Sequence, residues 1–153
     1  MKNLHQTLTE QQILFPSPDF KIIVADGKAR ANEKAFHEEI EIKYFYQGTS
    51  TIMIDEDVIV TKPGDITIVN PFEIHSTINI GQESGKYISL ILNIDFLKEQ
   101  NPNGLDLRRE LILKGQKFIN RIENDKRLQT IIPRVFEEFK DKKENYKLLM
   151  ICH

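Results

Sequence analysis

FHEEIEIKYFYQGTSTIMIDEDVIVTKPGDITIVNPFEIHSTIN, residues 36–79, is the stretch on which the fold is decided. Apolar and polar residues alternate along it, the period of a strand with one buried face. The alternation breaks at Gly48, at Asp55-Glu56-Asp57 and at Pro63-Gly64. These are turn signals: proline presets φ, and glycine supplies a positive φ. The stretch reads as short antiparallel strands over Ile40 to Tyr46, Ser50 to Ile54, Val58 to Thr61, Ile66 to Val69 and His75 to Ile80. Side chains alternate between the two faces of a strand. Ile40, Ile42, Tyr44 and Tyr46 therefore share one face. His37, Glu39, Glu41, Lys43 and Phe45 share the other. A histidine lies near each end of the stretch, at His37 and His75.

Working outward, Met1 to Gln12 reads as a loose or helical arm. Phe15-Pro16 and Ser17-Pro18 block helix and favour extended chain. Phe20 to Ala25 is a strand ending at the Asp26-Gly27 turn signal. On the other side, Tyr87 to Ile94 (YISLILNI) is the most apolar strand. Past the Asn101-Pro102-Asn103-Gly104 breaker, Leu105 to Leu113 reads as a short helix and Lys117 to Ile122 as extended chain. Asn124 or Asp125 then caps a helix. Its apolar face is Leu128, Ile131, Ile132, Val135, Phe136 and Phe139, spaced by three and four. Pro133 inside it is expected to kink or split the helix. After Asp141-Lys142-Lys143, residues Tyr146, Leu149, Met150 and His153 repeat the helical period. The reading is a strand-rich unit over residues 1–122, arm included, and a helical hairpin over residues 123–153.

A length of 153 residues fits one ordinary domain. With 40% hydrophobic and 29% charged residues, the composition is that of a soluble globular protein. The formal net charge of -2 excludes an overall basic surface for nucleic acid or membrane. A lone cysteine, Cys152, excludes an internal disulfide framework and a cysteine zinc cluster. The first residues lack the apolar core of a signal peptide. No apolar run reaches the roughly 20 residues of a membrane span, so the expected location is cytoplasmic. There is neither a Gly-rich phosphate loop nor a hydrolase-like Ser/His/Asp order. The run Tyr146 to His153 ends apolar and uncapped, which suggests a piece of a longer protein.

Closely spaced short strands argue for a sandwich or barrel. His37-x-x-x-Glu41 followed by Gly48, and His75 followed four residues later by Asn79, resemble the two conserved motifs of the cupin superfamily. Ala35 stands where the first motif has its first histidine, and Phe72 and Glu73 stand where the second often has glycine. The runs HEEIEI, GTSTIMI and PGDITIVNPFEIHS, followed by the tail FEEFKDKKENY, resemble the amino-terminal effector-binding domain of AraC-type transcription regulators. The resemblance covers most of the chain, from about Phe20 onward. It implies a mainly β, cupin-like (jelly-roll) barrel followed by a C-terminal α-helical hairpin. It implies a small-molecule effector within the barrel, with His37, Glu41, Lys43, Phe45 and His75 as ligand-binding candidates. It also implies a homodimer built through Leu128, Ile132, Val135, Phe136, Phe139, Tyr146 and Leu149. DNA would be reached only through a helix-turn-helix domain beyond this chain. No catalysis, metal or other cofactor is expected. The alternative is a stand-alone cupin metalloenzyme, a dioxygenase or isomerase. Cupin enzymes ligate a metal with three His and one Glu, and His37, Glu41 and His75 would be what remains of that set.

Overall fold

The computed structural model describes residues 11–13, 20–25, 34–78 and 85–140. The first ten residues of the expected arm lie outside them, as does the second helix of the hairpin with Tyr146 and Leu149. Nine strands are described: β1 (Gln11–Ile13), β2 (Phe20–Ala25), β3 (Ile40–Gln47), β4 (Thr51–Ile54), β5 (Asp57–Val60), β6 (Ile66–Val69), β7 (His75–Ile78), β8 (Lys86–Leu92) and β9 (Arg121–Ile122). They form a six-stranded sheet ordered β1-β2-β8-β3-β6-β9 and a three-stranded sheet ordered β5-β4-β7, every pairing antiparallel. Three helical segments follow: α1 (Ile94–Gln100), a π-helical turn (Arg108–Leu113) and α2 (Lys126–Lys140). The mainly β, cupin-like fold with helices at its carboxyl end is thus observed.

The turns fall where the sequence punctuates. Asp55, with φ 50°, turns β4 into β5, and its carboxylate accepts from the Ile74 amide at 2.9 Å. Gly64 adopts φ 98° between β5 and β6. A side chain is disfavoured there twice over, by the backbone and because a Cβ would sit 3.0 Å from Gln129 Nε2.

The parity read from β3 becomes two distinct cores. Ile40, Ile42 and Tyr44 face outward, away from the small sheet. With Ile66, Ile68, Ile88 and Leu90 they pack beneath Ile94 and Phe96 of α1 and Ile132 of α2. Phe45 faces inward. It meets Val69, Tyr87 and Ala25 of its own sheet and Ile52 and Ile54 of the small one. Helices on one side and a second sheet on the other cover the large sheet, which is why all four residues of β6 are buried.

Four expectations need correcting. The end of the expected loose or helical arm, Gln11 and Gln12, lies in the strand Gln11–Ile13 paired with β2. The strand expected to run to Ile94 ends at Leu92, because Asn93 caps α1: its Oδ1 accepts from the amides of Asp95 at 2.9 Å and Phe96 at 3.1 Å. The helix expected over Leu105 to Leu113 is a π-helical turn, closed by the Lys114 amide donating to the Arg109 carbonyl at 2.9 Å. Of the kink or split expected at Pro133, the split is not found: α2 runs unbroken through it. The proline removes one backbone donor, while burial of the adjacent Ile132 against the sheet holds the helix in place.

The amino-terminal end of α2 is capped, and it and the strand before it are tied to the β5–β6 turn. Asp125 Oδ1 accepts from the Leu128 amide at 3.0 Å, so Asp125 rather than Asn124 is the cap. Gln129 Nε2 donates to the Gly64 carbonyl at 2.8 Å, and Arg121 pairs with the buried Asp65 at 2.7 Å.

Candidate ligand site

The inward face carries more than Phe45. Glu41 and Lys43, each about 4% exposed, are buried between the sheets. His75, at the start of β7, comes from the opposite sheet, and its Nε2 lies 2.9 Å from Glu41 Oε2. Lys43 Nζ lies 3.1 Å from the same oxygen. Ser89 of β8 donates its hydroxyl to Glu41 Oε1 at 2.6 Å. His37 stands at the rim with Nε2 at 3.9 Å from Glu41 Oε2, and its ring meets that of His75 edge-on at 4.8 Å between centroids. His75 is oriented from behind by its Nδ1, which faces the Glu73 carbonyl at 3.0 Å. Its backbone pairs with Ala35, the residue standing where the cupin motif has a histidine.

Of the five sequence-predicted ligand residues, four converge: His37, Glu41, Lys43 and His75. The fifth, Phe45, is fully buried against Tyr87, with ring centroids 5.1 Å apart. Burial by itself would push the Glu41 carboxyl up. The Lys43 ammonium and the two histidines outweigh it and hold the carboxyl well below the usual carboxylate range.

The sequence reading passed over three inward residues. Ser89 interrupts the most apolar strand, and Thr67 and Thr77 are the inward hydroxyls of β6 and β7; all are buried. Thr67 lies directly beside Lys43 in the β3–β6 register. The hydroxyls of Thr67 and Thr77 have no hydrogen-bond partner. A single polar residue at inward parity within an apolar strand was the available signal for each.

His37, Glu41 and His75 present one ligand atom apiece within 4.8 Å of one another, a spacing that small divalent ions accept. Lys43 does not fit such an ion. Its ammonium sits on the carboxylate oxygen the ion would need. Two unit charges roughly 4 Å apart interact by about 4 kcal/mol at an effective dielectric near 20, and a divalent ion doubles this. In this arrangement the Glu41 carboxylate is met by Lys43, His75 and Ser89.

The dimerisation candidates fall elsewhere. Ile132 is buried in the outer core, and Leu128, Val135 and Phe136 pack against it, so these four face the chain's own barrel. Phe139 lies in α2.

The family model of the AraC-like ligand binding domain matches residues 17–146. The chain belongs to this family. Among solved structures, this AraC-like ligand binding domain is similar to a cupin 2 conserved barrel domain protein of Salinispora arenicola. The two share 17% identity and a TM-score of 0.50, over 65% of this chain and 92% of that one. A cupin superfamily protein of Desulfitobacterium hafniense matches at 22% identity and a TM-score of 0.46, over 54% of this chain and 74% of that one. No curated protein matches the chain. The structural likeness speaks for the cupin fold alone. Among the described residues, no helix is long and apolar enough to cross a membrane.

Proposed function

We propose that this AraC-like domain is the effector-sensing and dimerisation half of a cytoplasmic transcription regulator and carries out no catalysis. A small polar molecule would bind between the sheets and act on DNA only through a helix-turn-helix domain beyond this chain. One observation carries the reading: two buried hydroxyls, Thr67 and Thr77, face the interior without partners beside the Glu41–Lys43–His75 cluster. Buried polar groups are almost always satisfied. Two between the sheets, one from each, are the complement of a ligand that supplies the missing hydrogen bonds.

The geometry also supports a route outward. Glu73 meets His75 through its carbonyl, and its carboxylate accepts from Lys117 Nζ at 2.9 Å and Asn120 Nδ2 at 2.8 Å. Asn70 in the same loop exchanges two hydrogen bonds with the Phe118 backbone, at 2.7 and 2.9 Å. The segment so held leads through β9 into α2. A ligand that moves His75 therefore pulls on the connection to the helix. Such coupling requires different affinities for the two states.

The second reading, a stand-alone cupin metalloenzyme, draws on the convergence of His37, Glu41 and His75. The Lys43 ammonium weighs against it.

A thermal-shift screen of sugars, small acids and amines tests the sensor. A ligand at a hundred times its Kd adds about 2.7 kcal/mol, or roughly 5–10 °C in Tm for a chain of this size. The shift should vanish in Thr67→Val/Thr77→Val. Equal stabilisation of that variant would place binding elsewhere and overturn the interior site. Sedimentation equilibrium tests the dimer; a monomer at every concentration, with and without ligand, would remove that half of the proposal.

A further inference from the structure

Two histidines and a carboxylate lie within 4.8 Å of one another, a donor set that could hold a metal ion. We propose that Lys43 is a built-in counter-ion that bars divalent metal from the His37–Glu41–His75 set, and that removing this one ammonium turns the interior into a metal site.

Lys43 follows Glu41 by two residues on β3, so both side chains are obliged to point inward together. Lys43 is buried, with Nζ 3.1 Å from Glu41 Oε2. That oxygen is also the one approached by His75 at 2.9 Å and His37 at 3.9 Å. Both histidines approach this oxygen rather than Oε1, so an ion bound through it between them would meet the ammonium. A buried carboxylate needs a cationic partner, and here the chain supplies it from its own strand. The other residues around Lys43 leave it in place: Thr67 is its neighbour on β6, Ser89 its neighbour on β8, and the Tyr87 ring lies 5.9 Å from Nζ. None carries a charge that would draw the ammonium away. The three donors themselves come from both sheets, β3 with its lead-in and β7, so the fold brings them together with or without Lys43.

The proposal does not depend on the effector reading. Metal uptake reports on Lys43, whereas the thermal-shift screen reports on the small molecule.

The test is direct metal loading of the purified chain. Chelator-stripped protein is offered Zn²⁺, Ni²⁺ or Mn²⁺ separately, freed of unbound ion, and assayed for metal per chain. The readout is the uptake that depends on His75, defined by parallel His75→Ala variants. Wild type should show none. Lys43→Met, which keeps the length of the side chain and removes its charge, should take up about one ion per chain. Its calorimetric affinity should exceed that of wild type by at least about a hundredfold, the scale on which removal of a neighbouring like charge is felt. Lys43→Arg should remain empty. Should Lys43→Met fail to fold, Lys43→Gln, which keeps a polar end, is read by the same titration. His75-dependent binding of one ion per chain by the wild type would overturn the proposal. So would a folded, uncharged variant that binds no more tightly than wild type.

Discussion

The two faces of the large sheet are made from alternate residues of the same strands, yet they are held together in different ways. Outward, Ile40, Ile66, Ile88 and Leu90 meet Phe96 and Ile132, and burial of hydrocarbon is the stabilising term. Inward, Glu41, Lys43, Ser89, Thr67, His75 and Thr77 are buried with equal completeness. There, beside the apolar cluster around Phe45 and Tyr87, stability also depends on charges and hydrogen bonds that offset one another. Burying an ion pair is at best weakly stabilising compared with an apolar filling. The outer face therefore serves the fold, and the inner face departs from the most stable solution in the way functional sites do.

The comparison breaks most visibly at Glu41. Glu41→Ala leaves a buried ammonium without its partner and should cost about 3–5 kcal/mol in urea denaturation. Glu41→Leu/Lys43→Met should recover most of that loss, because an apolar pair needs no neutralising. A double variant as unstable as the single one would show that the inner face is an ordinary core. The acid limb follows with its sign. The folded carboxyl lies below its ordinary range. Its contribution is thus complete above the unfolded value of roughly 4.3 and is lost as pH falls through the depressed folded value. The double variant should lack that limb.

A smaller effect sharpens the contrast. Ile132→Ala cuts a buried side chain from the outer core and should cost about 2–4 kcal/mol. Stacked layers lie about 10 Å apart, so this loss should add to that of Glu41→Ala within about 0.5 kcal/mol. A larger discrepancy would mean that the two faces communicate. The smallest change is Asn93→Ala. It removes the cap of α1 and should cost about 1 kcal/mol, with a shallow loss of helical circular dichroism.

Much of this was legible. An apolar run before a turn signal gave β2 and the punctuated stretch gave β6 to the residue, and the parity of Glu41, Lys43 and Phe45 placed all three on one face. The motif spacing of His37, Glu41 and His75 anticipated their meeting across two sheets. Asn93 was missed because the apolar run YISLILNI continues through it, and a local cap was hidden by a period. Ser89, Thr67 and Thr77 were missed because a hydroxyl in a strand has no preferred face until both sheets are in place. The apolar side of α2 was legible as a face, but not the surface it meets.

The sequence by itself determined the strands, their turns and the two parities, because these follow from local sterics and a period of two. Only the tertiary structure decided that the polar parity is the buried inner one. An alternating strand of an antiparallel sheet normally turns its charges to water. Here helices seal the apolar face, a second sheet covers the other, and the buried Glu41 is met by Lys43 and His75.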